Sequence, residues 1–149
     1  MPRPAEAVWR PIVTEIVRER IGAGEPTWLP VRGRSMQPLL AWGTRILVAP
    51  AARVRIGDLL VYERDGAIVC HRVLGRHRRT LLTRADQGGA AAERVTGSQI
   101  LGVVVALERT GVVVDLTARA RRMRALAAAA RSGAGAASAT MRRHWWRRS

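Results

Sequence analysis

Between residues 44 and 116 the chain is a succession of apolar runs too short to be anything but strands. "TRILVAP" (44–50), "DLLVYER" (58–64), "AIVCHRVL" (67–74), "TLLTRA" (80–85), "QILGVVVALE" (99–108) and "VVVDL" (112–116) are rich in Val, Leu and Ile. Buried helices need longer runs, and branched aliphatic residues pack well on a pleated surface. Clusters of Gly, Pro, Asp and Arg separate the runs. "RDG" at 64–66 and "RTG" at 109–111 are short enough to close hairpins. These signals predict a mainly β fold: coiled antiparallel sheets or a partly closed barrel.

The flanks read differently. "PIVTEIVRERI" (11–21) predicts a short amphipathic helix, with Pro11 at its first position and Gly22 as its stop. Ile12, Val13, Ile16, Val17 and Ile21 recur at helical spacing and form its expected apolar side. "TARARRMRALAAAAR", opening at Thr117, is rich in helix formers, and "SGAGAASAT" reads as a small-residue linker before "MRRHWWRRS". The expected division is therefore a helix and lead-in over 1–30, a β domain over 31–116, and an Ala/Arg-rich helix with a flexible basic tail over 117–149. A chain of 149 residues suits one domain with a proper core. With no Phe and one Tyr, that core must be mostly aliphatic, and a single cysteine, Cys70, cannot form an internal disulfide.

The net charge of +15 is concentrated at one end, since residues 117–149 hold nine arginines and no acid. Such a tail favours polyanions. Its Trp and Arg residues at 141–149 suit an anionic membrane surface, and contact with nucleic acid through phosphates is the competing use. No segment reaches the roughly 18 to 20 apolar residues of a membrane-spanning helix. Glu6 and Glu15 interrupt what would be the apolar part of a signal peptide. The expected location is cytoplasmic or peripheral to a membrane. Neither a metal-ligand cluster nor a phosphate-binding glycine loop is present in the sequence, so no cofactor is expected.

"VRGRSMQPLL" (31–40) isolates Ser35 between Gly33 and Pro38. A serine attacks well only when a base takes its proton. All 26 Lys+Arg positions are arginine, which does not give up its proton in proteins. Histidine remains. His77 lies in the basic "GRHRR" and His144 in the basic tail, whereas His71 lies within the strand-like "AIVCHRVL". Its neighbour Cys70 must point to the opposite face of that strand and cannot share the base. Asp86, in "TRADQGG", follows the next strand and is available to orient the imidazole, or to build an Asx turn. With Leu74 opposite Thr80, His71 faces Thr83 and Asp86 falls on the other face. A one-residue bulge, or a position of Asp86 beyond the strand end, would remove that conflict.

"GRSMQPLL", "RIGDLLVYERDGAIVCHRVL", "LLTRADQ" and "QILGVVVAL", in that order, resemble the signal peptidase and LexA-like superfamily of serine peptidases. The resemblance runs from about Val31 to Leu107. Its bacterial-type enzymes pair serine with lysine; the endoplasmic-reticulum and archaeal branch has histidine at that place, and this chain resembles the latter. The resemblance implies Ser35 as nucleophile, His71 as base, Asp86 as orienting acid, and cleavage of an extended peptide or precursor protein after small residues. The Ser35 N–H is the natural oxyanion donor. Gly33, Arg34, Met36 and Pro38 would frame the oxyanion and substrate site. Several relatives have a hydroxyl residue where Gly33 stands, and Gly33 would instead permit an unusual backbone angle or close approach of substrate. A peptidase-like module without activity, acting through the basic tail, is the alternative function.

Overall fold

The alternation of apolar residues along the short runs is satisfied by one antiparallel sheet that packs on both faces. The computed structural model describes residues 4–117, with the backbone alone over 4–10, together with Met123, Ala127 and Ala130. One helix, α1 (Pro4–Gly22), precedes eight strands: β1 (Thr27–Pro30), β2 (Arg45–Ala49), β3 (Leu59–Arg64), β4 (Ala67–His77), β5 (Thr80–Arg84), β6 (Glu93–Thr96), β7 (Ile100–Arg109) and β8 (Val112–Asp115). The strand order is β1-β2-β7-β3-β4-β5-β6, with β8 paired to β7, and the sheet is not closed. The mainly β expectation holds in its open form. The C-terminal helix and tail expected over 117–149, and the membrane contact expected at 141–149, lie outside the described residues except for the helical Met123, Ala127 and Ala130. Among the described residues no helix is long and apolar enough to cross a membrane.

The hairpins fall where the turn residues put them. Asp65 and Gly66 between β3 and β4, and Thr110 and Gly111 between β7 and β8, all have positive φ, as a two-residue turn that follows strand twist requires. Two strands escaped the sequence reading. β1, "TWLP", ends on a proline and lies at the sheet edge, while β6, "ERVT", contributes one fully buried residue, Val95. Neither is long enough to display a period.

Opposite faces of the sheet carry separate cores. The first gathers Val17 and Ile21 of α1, Met36 and Leu40, and Ile46, Val48, Leu59, Val61, Leu101, Val104 and Leu107 of the strands. Leu60, Tyr62, Val73, Leu81 and Val95 form the second. At Gly102 on β7 the neighbouring strand comes so close that an added Cβ would meet the Ala49 carbonyl at 2.4 Å. Only glycine fits there.

The helix departs from expectation in extent and rotation. It begins at Pro4, so Pro11 lies inside it rather than at its first position. Pro4 takes the early place where a missing N–H costs nothing, and the Ala- and Glu-rich residues behind it sustain the helix. Val17 and Ile21 are buried as expected, but Ile12, Val13 and Ile16 are exposed and Thr14 is buried instead. Polar anchors set this rotation. Thr14 Oγ1 donates to the Gly66 carbonyl at 3.2 Å, and Arg18 donates to Glu63 at 2.6 Å and to the Ser98 carbonyl at 3.1 Å.

Candidate active site

Ser35 lies in a turn before β2, and the turn is tied down on several sides. The Gln37 N–H donates to the Arg34 carbonyl at 3.1 Å, and the Leu40 N–H to the Met36 carbonyl at 2.9 Å. Met36 and Leu40 plunge into the first core. Arg109, at the end of β7, donates to the Leu39 and Pro38 carbonyls at 2.7 and 3.3 Å and to Thr44 Oγ1 at 3.4 Å. Its guanidinium thereby clamps the turn from outside. Nothing in "ERTG" announces that role, because a surface arginine at a hairpin is ordinarily solvated.

The turn also docks on the segment following β5. The Gln87 N–H donates to the Ser35 carbonyl at 2.9 Å, and the Asp86 N–H points to Met36 Sδ at 3.3 Å. The pairing of β4 with β5 ends at Arg72 opposite Arg84. One step further along that register brings His71 level with Ala85, two residues before Gln87. The Ser35 turn is thus bonded to the segment that follows β5, the strand paired with β4. Ser35 is half-buried, and neither its hydroxyl nor its N–H bonds to another described residue. Catalytic hydrogen bonds commonly close only around substrate. Arg34 and Pro38 are exposed beside it. Gly33 faces open space, where an added Cβ would touch nothing within 4 Å, and its φ is ordinary. The unusual backbone angle expected at Gly33 is therefore absent, while room for close approach is present.

His71 is buried on the face of the second core. Strand alternation puts it with Leu60, opposite it on β3, and with Tyr62 two residues further along. Tyr62 Oη lies 2.9 Å from His71 Nδ1 and 3.3 Å from Thr83 Oγ1, and the rings meet edge-on at 6.0 Å. Tyr62 and Thr83 are fully buried. Burial lowers the His71 pKa below its ordinary 6.5; the Glu93 carboxylate opposes the shift, Arg64 adds to it, and Asp86 opposes it more weakly. The imidazole is thus neutral at neutral pH, the state a proton acceptor needs. Burial pushes the Tyr62 phenol up to about 12, so it keeps its proton.

Asp86 does not orient His71. It pairs with the next residue, Arg72: Nε donates to Oδ1 at 2.7 Å and Nη2 to Oδ2. Arg72, also fully buried, sends Nη1 to the Gly57 carbonyl at 2.9 Å. The hairpin does contain a bulge, at Leu74 between Val73 and Gly75, but β4 extends to His77 and the register moves with it, so that His77 pairs with Thr80. Asp86 consequently comes level with Cys70, on the Arg72 face, and the parity conflict foreseen from sequence persists. The signal for this pair was the arginine itself: inside "AIVCHRVL" a buried guanidinium demands an anion. Cys70 points away from His71 into the first core, as alternation requires, and burial raises its thiol to about 12. Asp58 sits in the turn before β3, its carboxylate accepting from the Arg55 N–H at 2.7 Å. Among the described residues no group of His, Cys, Asp and Glu is placed to hold a metal ion.

Residues 11–105 match the family model described as Peptidase S24-like. No curated protein matches the chain.

Proposed function

The chain belongs to the Peptidase S24-like family, and on that premise we propose that it is a serine endopeptidase with Ser35 as nucleophile and His71 as base. Ser35 Oγ attacks the scissile carbonyl carbon while His71 Nε2 accepts the hydroxyl proton. The Ser35 N–H, open in the structure, donates to the forming oxyanion. His71 then returns the proton to the leaving amine, and a water molecule, deprotonated by the same imidazole, releases the acyl group from Ser35. An extended peptide with small residues before the cleaved bond is the proposed substrate, the specificity of signal-peptidase-like enzymes that use histidine. Open space in front of Gly33 supports close backbone approach there.

The observation carrying this reading is the buried imidazole of β4, its pKa lowered by burial, in a chain whose Ser35 turn is bonded to the segment after the neighbouring β5. A fluorophosphonate probe and a panel of peptides bearing small residues test it on wild type, Ser35→Ala and His71→Ala. Wild type is expected to be labelled at Ser35 and to cleave; both variants should lose at least 1,000-fold, about the scale of losing a nucleophile–base unit. Equal turnover by wild type and Ser35→Ala rejects the reading. Because only neutral His71 accepts a proton, kcat/KM should fall on acidification, with its midpoint below pH 6.5.

A further inference from the structure

The carboxylate expected to serve His71 is committed elsewhere, yet the imidazole is not left without support. Its Nδ1 meets a fully buried phenol, and that phenol meets a fully buried hydroxyl. Beyond them stands Glu93. It is paired across the sheet with Thr83, so its side chain shares the face of Thr83, Val73, Tyr62 and His71. Arg64, on the same face at the end of β3, donates to Glu93 Oε2 at 2.6 Å and fixes the carboxylate there.

We propose that Glu93 is the acid of this site, acting on His71 through the Tyr62 hydroxyl, with Tyr62 and Glu93 as positioning residues. The inference rests on the assignment of His71 as the base. Proton directions carry it. The Thr83 hydroxyl donates to the Glu93 main-chain carbonyl, a pure acceptor, at 3.5 Å. Thr83 Oγ1 is then an acceptor for the Tyr62 proton, and the Tyr62 oxygen is left to accept from His71 Nδ1–H. In this direction the His71, Tyr62 and Thr83 donors each have an acceptor. The negative charge of Glu93 favours the same direction, because it turns the hydrogen end of the phenol towards itself and the oxygen end towards His71. The Glu93 charge also raises the Tyr62 pKa, adding to the larger effect of burial. Of the charges around His71 its effect is the largest and opposes burial, whereas Arg64 on β3 adds to burial and Asp86 after β5 opposes it more weakly. The consequence is a fixed tautomer: Nδ1 holds the hydrogen and Nε2 keeps a lone pair for Ser35. During attack the phenol stabilises the imidazolium, and Glu93 stabilises the polarised phenol without taking a proton.

The test pairs two readouts, one of them independent of turnover. Nitrogen-15 NMR of the His71 ring reports tautomer and titration in wild type, Tyr62→Phe, Glu93→Gln and Arg64→Gln; peptide-cleavage kinetics report kcat, KM and the pH profile. Wild-type Nδ1 is expected to be the protonated nitrogen. Glu93→Gln should move the His71 midpoint to lower pH and Arg64→Gln to higher pH, with the acid limb of kcat/KM following each. Glu93→Gln and Tyr62→Phe should lower kcat roughly 10- to 100-fold, within the usual range for acid–base groups, with KM little changed. A wild-type imidazole protonated at Nε2, or a Glu93→Gln variant with unaltered titration and kcat, overturns the proposal. Glu93 is partly exposed, so its variant tests the idea even if Tyr62→Phe does not fold. If no variant cleaves, wild type included, the peptidase reading fails while NMR still decides the proton directions.

Discussion

Two adjacent residues of β4, His71 and Arg72, are both buried polar groups, yet they face opposite sides of the sheet and live in different chemistry. Arg72 is saturated. It holds both oxygens of Asp86 and the carbonyl of Gly57, and so ties β4 to the end of β5 and to the turn before β3. That turn uses Gly57 at a φ of +92°, a conformation few other residues tolerate. Among the described residues His71 is bonded at Nδ1 only, by the neutral Tyr62 hydroxyl that also meets Thr83, with the Glu93 carboxylate further away on the same face. The first arrangement is a brace with its charges locked together. The second keeps one nitrogen free and can change protonation state, which is what a base requires.

The largest effect is expected on the brace. Arg72→Ala would leave Asp86 in place without its cation, and breaking a buried ion pair costs about 3–5 kcal/mol. Urea unfolding at neutral pH should show that loss, and a change under about 1 kcal/mol would mean that the pair does not tie these elements together. On the other face, Tyr62→Phe removes no charge but strips partners from Thr83 and His71. The expected destabilisation is about 1–3 kcal/mol, measured in the same way, so the order of the two variants checks the contrast directly. The smallest effect is pH dependence. The folded pKa of His71 lies below its unfolded value of 6.5, so the unfolded chain binds the proton first. Stability is therefore intact above about pH 6.5 and declines as pH falls through the window beneath it, by at most about 1.4 kcal/mol per pH unit. His71→Gln should flatten that part of the pH profile relative to wild type; an unchanged slope would show that the imidazole is not desolvated.

Much of this was legible in the chain. The six apolar runs, the two hairpin turns and the opposition of Cys70 to His71 follow from period-two alternation and turn chemistry, both local properties. The candidacy of His71 was likewise a local reading, since a chain with no lysine offers few bases and the other two histidines lie in the basic "GRHRR" and the basic tail. What escaped was non-local. β1 and β6 are strands because neighbours supply their partners, and α1 is rotated by contacts of Thr14 and Arg18 with residues far along the chain.

The sequence determined on its own that a serine and an imidazole would be carried by a sheet of short aliphatic strands, because strand period and proton affinity belong to single residues and their immediate neighbours. Which acid would share a face with that imidazole was decided only by folding: β6 is too short to announce itself, and its pairing with β5 sets Glu93 opposite Thr83, on the side of Tyr62 and His71. Strand parity had already put Asp86 on the other face, where folding paired it with Arg72.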